Sequence, residues 1–266
     1  MKKYTMGMIG CGNMGGALVR AAAKTLTAGS IAISDHHEDR LEPLAKDAGA
    51  VFLSAMDIAA SSVFVVLGVK PRGICDTVGG IAEALSANAD AVLVSMAAGV
   101  EIKTLRAYAK QDIPVIRIMP NTPVAVGAGI ILYALSDNVT AEREEEFLQM
   151  FSAAGRLIRI EEREMDAATA VAGCGPAFAY LFAEALADGG VECGIPRERA
   201  ALYAAEMLRG AAEMLIAYGH PADLKDAVCS PGGSTIAGVH ALERGGFRAS
   251  VMDAVTAAYD KTCQMK

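Results

Sequence analysis

YTMGMIGCGNMGG, residues 4–16, is the most informative stretch of this chain. An apolar run at residues 4–9 predicts a strand, which leads directly into Gly10, Gly12 and Gly15 and then into a helical pattern. In that setting the spacing G-x-G-x-x-G provides a tight turn, close approach of a pyrophosphate to the backbone, and close packing of helix on strand. We therefore predict a dinucleotide-binding β-α-β unit. The residues expected at the cofactor are Ile9, Gly10, Cys11, Gly12, Asn13, Met14 and Gly15.

Short β-branched runs then alternate with alanine-rich helical runs, which is typical of a parallel sheet covered by helices. The predicted strands after residues 4–9 are 31–34, 51–53, 63–67, 91–95 and 115–118, followed by 129–134 and 156–160 on either side of a helix at 140–153. We therefore predict an α/β, Rossmann-like, doubly wound sheet domain over residues 1–160.

Strand signals vanish beyond residue 160, and Ala, Leu and Met recur at helical spacing between Gly or Pro stops. The pattern predicts an all-α domain over residues 161–266. In its last helix an apolar stripe must be buried against something. The stripe consists of Val251, Ala254, Val255, Ala258 and Tyr259. Helices built from small residues make a thin core alone, so we expect them to pack against a second subunit.

Composition excludes several classes of protein. The chain has 266 residues, 53% of them hydrophobic, with a formal net charge of −7. This charge argues against a nucleic-acid partner, which requires clustered Lys and Arg. The six cysteines lack C-x-x-C spacing and no signal peptide is apparent, so we expect reduced thiols in a cytoplasmic protein. The longest uncharged stretches, 118–136 and 167–183, are interrupted by Pro or Gly, and we expect no membrane segment.

Asp35 ends the second predicted strand, 20 residues after Gly15. An acidic side chain there would accept hydrogen bonds from the adenosine ribose, which favours NAD over NADP. No Arg stands beside it to hold a 2′-phosphate, although His36 and His37 are adjacent. The alternative is a solvated aspartate in a turn.

Two further segments follow the carboxyl ends of predicted strands, where ligands bind in doubly wound sheets. The first contains Val69, Lys70 and Pro71, and the second contains Ala97, Ala98 and Gly99. Pro71 fixes the turn after Lys70, so this lysine either contacts the cofactor or a developing charge, or is a solvated surface charge. We expect both segments at the cofactor.

A second glycine-rich segment lies far from the first, at residues 230–235. It reads SPGGST and runs directly into a helical pattern. A helix N-terminus carries unpaired N–H donors and partial positive charge, and glycines let a ligand approach them. The segment therefore predicts an anion cradle formed by Ser230, Gly232, Gly233, Ser234 and Thr235. Two anion sites suggest two ligands.

Six segments together resemble pyrroline-5-carboxylate reductases in order and spacing from end to end. They are GCGNMG at 10–15, VKP at 69–71, SMAAG at 95–99, RIMPNTP at 117–123, GCGPAF at 173–178 and SPGGST at 230–235. The resemblance implies reduction of Δ1-pyrroline-5-carboxylate to L-proline by NADPH or NADH, the last step of proline synthesis. It also implies a Rossmann domain followed by a helical domain that interleaves with its partner in a homodimer, often within a decamer. No metal or covalent nucleophile is needed.

The resemblance also implies roles for particular residues. The cradle would hold the substrate carboxylate through the Gly233 and Ser234 N–H groups and the hydroxyls of Ser234 and Thr235. Thr235 would lie closest to the imine nitrogen, and Glu162 would pair with the positive charge of that nitrogen. For Thr235 the alternative is a helix N-cap, which it could fill simultaneously, and for Glu162 a solvated face.

Departures and rivals narrow this interpretation. The family usually has Ser and Tyr where this chain has Cys174 and Phe178, so any polar role of those side chains is lost here. Family members that prefer NADPH usually carry Ser, Asn or Arg around position 35, where this chain has Asp35. We therefore expect this chain to use both NADPH and NADH. Asn121 either contacts the nicotinamide or braces its loop, and we favour bracing.

A β-hydroxyacid dehydrogenase would need a lysine in its helical domain, yet none occurs between Lys110 and Lys225. A nucleotide-sensing binding protein would not need the second cradle.

Overall fold

An eight-stranded sheet forms the first part of the molecule in a computed structural model that describes residues 3–265. The strands are β1 (Tyr4–Ile9), β2 (Ile31–Ser34), β3 (Val51–Phe52), β4 (Ser62–Leu67), β5 (Val92–Ser95), β6 (Val115–Pro120), β7 (Gly129–Leu135) and β8 (Gly155–Arg159). Their order is β3-β2-β1-β4-β5-β6-β7-β8. The chain reverses direction across the sheet between β1 and β4, which is the switch point where doubly wound sheets bind ligands. The predicted sheet is confirmed strand by strand.

β7 departs from the predicted parallel sheet. It pairs antiparallel with β6, whereas the other neighbouring strands pair parallel. The connection between β6 and β7 holds only a short 3₁₀ turn, Thr122–Val126. A parallel crossover needs a dozen or more residues, so a connection this short returns the chain antiparallel. β6 itself continues through Pro120, two residues beyond the strand predicted at 115–118.

Helices cover both faces of the sheet and then make up the remainder of the chain. They are α1 (Asn13–Ala22), α2 (Glu38–Ala48), α3 (Ala55–Ser61), α4 (Ile74–Ala87), α5 (Ile102–Ala109), α6 (Ala141–Phe151), α7 (Met165–Ala168), α8 (Gly175–Glu192), α9 (Arg197–Tyr218), α10 (Pro221–Ala227), α11 (Ser234–Arg244) and α12 (Phe247–Cys263). A π-helical turn at Thr169–Gly173 precedes α8. Two hydrophobic cores, one on each face, bury the strands between them.

The chain divides into two compact units. The first holds residues up to Gly173 together with the C-terminal segment from Ala258, and the second is Cys174–Ala257. The last strand ends at Arg159, next to the domain boundary predicted at residues 160 and 161. That boundary stays a prediction.

The second unit has a small core of its own. Among the described residues its buried hydrophobic cluster consists of Ala187, Ala200 and Ala204. Large apolar side chains on the same helices are exposed, among them Leu181, Leu202 and Ile216. In the predicted stripe of α12, Val251 and Tyr259 are each 41% exposed in the single chain. This surface has the composition of a buried interface.

One helical stretch, Glu162–Glu192, is long and apolar enough to cross a membrane by length and composition. Only 11% of its most apolar window is buried in the single chain. The sequence led us to expect no membrane segment, because Gly and Pro interrupt the uncharged stretch at 167–183. Proline is accommodated here since Pro176 lies in the first turn of α8, where its missing N–H costs nothing. One such helix is weak support for a membrane span.

Candidate active site

The glycine-rich loop between β1 and α1 is closed on its protein side and open at Gly12. Gly10 has a φ of +96°, which glycine adopts without strain. A Cβ on Gly15 or on Gly68 would lie 2.2 Å from the Gly10 carbonyl oxygen, so neither position admits a side chain. A Cβ on Gly12 would meet no atom within 4 Å. Gly12 caps α1 without a side-chain hydrogen bond, which leaves the first N–H groups of the helix for an anion. This geometry fits a dinucleotide pyrophosphate.

Asp35 ties the end of β2 to this loop. Its Oδ2 accepts a hydrogen bond from the Cys11 N–H at 2.6 Å, and its Oδ1 accepts one from the His37 N–H at 2.8 Å. Asp35 is thus half-buried and bound to the loop, and its role at the ribose stays a prediction. His36, beside it, is exposed. An open cavity of about 950 Å³ adjoins Asp35 and carries three more acids, Asp39, Glu42 and Asp57. The charged side chains that are described as lining this cavity are all acidic, and their negative charge opposes the binding of a 2′-phosphate.

The thiol of Cys11 stays neutral within the loop. Burial raises its pKa from 9.0 to about 12, and the nearby charge of Asp35 acts in the same direction. Its Sγ donates a long hydrogen bond, 3.7 Å, to the Ser34 carbonyl oxygen. The loop therefore places no thiolate charge beside the expected phosphates.

The segments after β4 and β5 meet at one cavity. Lys70 and Pro71 line it from one side and Gly99 from the other, in a volume of about 670 Å³. Lys70 is exposed and has no hydrogen bond or ion pair with any described residue. The side chain of Ala97 is buried, and its N–H donates to the Ser95 Oγ at 3.3 Å. The methyl group and the N–H of Ala97 are therefore both engaged within the protein.

Arg117 forms a buried ion-pair network that sequence reasoning missed. Its side chain is 1% exposed, and its Nη2 lies 2.9 Å from Asp166 Oδ1 while its Nη1 lies 3.3 Å from Glu162 Oε1. The same Glu162 oxygen accepts a hydrogen bond from the Ile102 N–H at 2.7 Å. The interpretation of Glu162 as part of a solvated face is therefore wrong. An arginine inside an otherwise apolar strand was the available signal, because a buried guanidinium requires carboxylate partners.

Asn121 braces its loop, as expected. Its Nδ2 donates to the Ala172 carbonyl oxygen at 3.0 Å, and its Oδ1 accepts from the Ile130 N–H at 2.9 Å. Both ends of the amide are thus used within the first unit.

The second glycine-rich segment forms a tight turn before α11. Gly232 has a φ of +68°, and the Gly233 N–H donates to the Ser230 carbonyl oxygen at 3.0 Å. The prediction that the Gly233 N–H binds a ligand is corrected, because this donor closes the turn. Gly233 is also the cap of α11, so Thr235, the second residue of the helix, is not the N-cap. The hydroxyls of Ser230, Ser234 and Thr235 have no hydrogen-bond partner among residues 3–265.

Two family models match parts of the chain. Residues 162–265 match the one described as pyrroline-5-carboxylate reductase dimerisation. Residues 5–99 match the one described as NADP oxidoreductase, coenzyme F420-dependent.

Relatives and solved structures match nearly the whole chain. The pyrroline-5-carboxylate reductase of Pisum sativum is 39% identical, over 98% of this chain and 96% of that protein. The Escherichia coli reductase of the same name is 36% identical, over 97% of this chain and 96% of its own length. The crystal structure of Plasmodium falciparum pyrroline carboxylate reductase with NADP bound superposes with a TM-score of 0.87 at 31% identity, covering 100% of this chain and 99% of that one.

Proposed function

This chain belongs to the pyrroline-5-carboxylate reductase family, and we therefore propose that it reduces Δ1-pyrroline-5-carboxylate to L-proline with NADPH or NADH. This reaction is the last step of proline biosynthesis. The observation that carries the proposal is the presence of both glycine-rich helix N-termini in a chain that matches such reductases along its whole length.

The first unit provides the cofactor site. The opening at Gly12 admits the pyrophosphate to the first N–H groups of α1, and Asp35 receives the adenosine ribose. The bound reduced nicotinamide supplies the hydride. Negative charge around Asp35 opposes the 2′-phosphate of NADPH, which supports use of NADH alongside NADPH. His36, Val69, Lys70 and the turn containing Ala98 complete the proposed site.

The second unit provides the carboxylate anchor. Because the Gly233 N–H closes its own turn, the donors left for a carboxylate are the Ser234 and Thr235 N–H groups and the three hydroxyls of the segment. A helix N-terminus binds such an anion without a cationic side chain. Fixing the carboxylate fixes the orientation of the ring, which is the main contribution a protein can make to hydride transfer.

Protonation of the ring nitrogen is the second requirement. Hydride attack on C=N is fast when the nitrogen is protonated or receives a proton as charge develops. We assign the hydroxyl of Thr235 to this nitrogen, which its lack of a partner within the described chain permits. Glu162 is assigned to the positive charge of the nitrogen through the carboxylate oxygen that Ile102 and Arg117 leave free, on a side chain that is 32% exposed.

The helical unit supports a homodimer, and we propose that such dimers assemble into a decamer in the cytoplasm. Apolar side chains on α8, α9 and α12 are exposed in the single chain, whereas the buried cluster between α8 and α9 is three alanines. A second copy of the same surface would bury them. The apolar stretch at 162–192 then belongs to the dimer rather than to a membrane.

Oxidation of the cofactor tests the function directly. Purified protein is mixed with Δ1-pyrroline-5-carboxylate and either NADPH or NADH, and absorbance of the reduced nicotinamide is followed. We expect loss of absorbance that depends on both substrate and enzyme, with L-proline as the product. A matched reaction with NAD⁺ or NADP⁺ and a β-hydroxyacid tests the nearest rival. No oxidation of either cofactor at high protein concentration would exclude the reductase.

A further inference from the structure

Arg117 is enclosed in the first unit and has no role in the reaction described above. It lies on β6 directly beside Ser95 of β5, in the register of the parallel pair. Its two terminal nitrogens reach two carboxylates that are 45 and 49 residues away in sequence, Glu162 and Asp166. A buried arginine held by two carboxylates has one fixed orientation, since both ends of its planar fork are engaged.

Glu162 connects the guanidinium of Arg117 to the first residue of α5, because one carboxylate oxygen binds both. The cap residue of that helix, Glu101, makes no side-chain cap hydrogen bond. The carboxylate of Glu162 takes its place from a segment 60 residues away by accepting the Ile102 N–H at 2.7 Å. A carboxylate at a helix N-terminus is stabilised both by this hydrogen bond and by the helix dipole.

The turn between β5 and α5 is held at its two ends. At one end Ser95 is buried, and its Oγ accepts the Ala97 N–H. Inside the turn the Val100 N–H donates to the Ala97 carbonyl oxygen at 3.4 Å, a long bond, and Gly99 has a φ of +74°. At the other end the turn joins α5 at Ile102, where Glu162 binds. Besides the buried Ala97 side chain, the turn has, among the described residues, only long hydrogen bonds of its own, so its attachment at the two ends contributes to where it lies.

We propose that Arg117 is a positioning residue for the cofactor. Acting through Glu162, it fixes the N-terminus of α5 and with it the turn that carries Ala97, Ala98 and Gly99. The inference rests on the proposed function for the identity of the cofactor. A lysine at position 117 would keep the charge but lose the planar fork, so it could not engage both carboxylates in the same geometry.

The test is the dissociation constant of NADPH or NADH, whichever wild-type protein binds more tightly, measured by fluorescence titration without substrate. We expect Arg117→Lys and Glu162→Gln each to weaken binding about fivefold, equivalent to about 1 kcal/mol, the scale of one helix cap. The double variant should bind no more weakly than the weaker single variant, because both changes break one relay. Glu146→Gln, which removes an arginine-paired glutamate on α6, should leave the dissociation constant unchanged.

Wild-type cofactor affinity in folded Arg117→Lys, or fold-changes that multiply in the double variant, would overturn the proposal. If Arg117→Lys does not fold, Glu162→Gln decides, since a role toward the substrate nitrogen alone leaves cofactor binding unchanged. Wild-type protein that binds the cofactor but does not reduce Δ1-pyrroline-5-carboxylate contradicts the proposed function and leaves this inference standing. Wild-type protein that binds neither cofactor contradicts both.

Discussion

Replacing Gly12 and Gly15 one at a time by alanine should separate cofactor binding from folding. A Cβ on Gly15 would lie 2.2 Å from the Gly10 carbonyl oxygen, so about 1 Å of backbone movement is needed to restore ordinary contact. A Cβ on Gly12 has open space around it, and the backbone there, with φ −63° and ψ −167°, is allowed for alanine. The added methyl group therefore meets backbone at position 15 and open space at position 12.

The expected magnitudes follow from these contacts. Overpacking of this kind costs about 1–3 kcal/mol, which corresponds to an apparent melting temperature roughly 2–12 °C lower for Gly15→Ala. For Gly12→Ala, losing a glycine helix cap and restricting the unfolded chain oppose each other at about 0.5–1 kcal/mol each, so stability should hardly change. The methyl group added at position 12 would instead occupy the space through which the pyrophosphate approaches. We expect at least about tenfold weaker cofactor binding, or about 1.4 kcal/mol.

Differential scanning fluorimetry and fluorescence titration of the cofactor measure the two effects independently. Gly79→Ala on α4, where a Cβ also meets nothing within 4 Å, is the matched control for adding a methyl group to a glycine in open space. The reasoning fails if Gly12→Ala binds the cofactor as wild type does. It also fails if Gly12→Ala loses as much stability as Gly15→Ala.

Four further experiments test other residues of the protein. Thr235→Ala should lower turnover by roughly 10²-fold, with an unchanged melting temperature because Gly233 rather than Thr235 caps α11; equal turnover would remove its hydroxyl from proton delivery. Asp35→Ser should raise the ratio of kcat/KM with NADPH to that with NADH, at a cost of about 1 kcal/mol for the lost hydrogen bonds to Cys11 and His37; an unaltered ratio would exclude Asp35 from the ribose site. Iodoacetamide at pH 8 should modify the exposed Cys75 and spare Cys11, whose pKa of about 12 keeps its thiol protonated. Alkylated Cys11 in peptide mass spectrometry would contradict this expectation. Because that pKa is raised from 9.0, the folded state should lose stability relative to the unfolded state as pH rises from about 9 toward 12, and Cys11→Ala should weaken this alkaline loss in pH-dependent unfolding.

The strands could be predicted because their signal is local. Each is a short apolar run between turn residues, and the observed bounds differ from the predicted ones by at most two residues. The direction of β7 was missed although its signal was present, since the connection after Pro120 is too short for a crossover helix. Periodicity describes each element separately and says nothing about how neighbouring elements pair.

The site was predictable only where one segment carries it. The loop at Gly10 and the turn before α11 are recognisable from their closely spaced glycines. The bracing role of Asn121 could be predicted from its place at the end of a strand. The close approach of Gly68 to Gly10 requires knowing that β4 lies beside β1. The partners of Arg117 are too far away in sequence for any spacing rule to connect them. Long-range contacts of this kind depend on the tertiary fold.

Because its buried cluster is so small, the second unit should have a stability that depends on protein concentration. Three buried methyl groups contribute only about 2 kcal/mol of apolar burial, far less than the ordering of the five helices costs. If a second copy supplies the remaining burial, the melting temperature of this unit rises with protein concentration, as mass action requires, whereas that of the sheet with its two large cores stays constant. In a newly made chain the sheet would then fold first, and the helical unit would fold only when two chains associate. The rate of that second step would depend on the concentration of the protein in the cell.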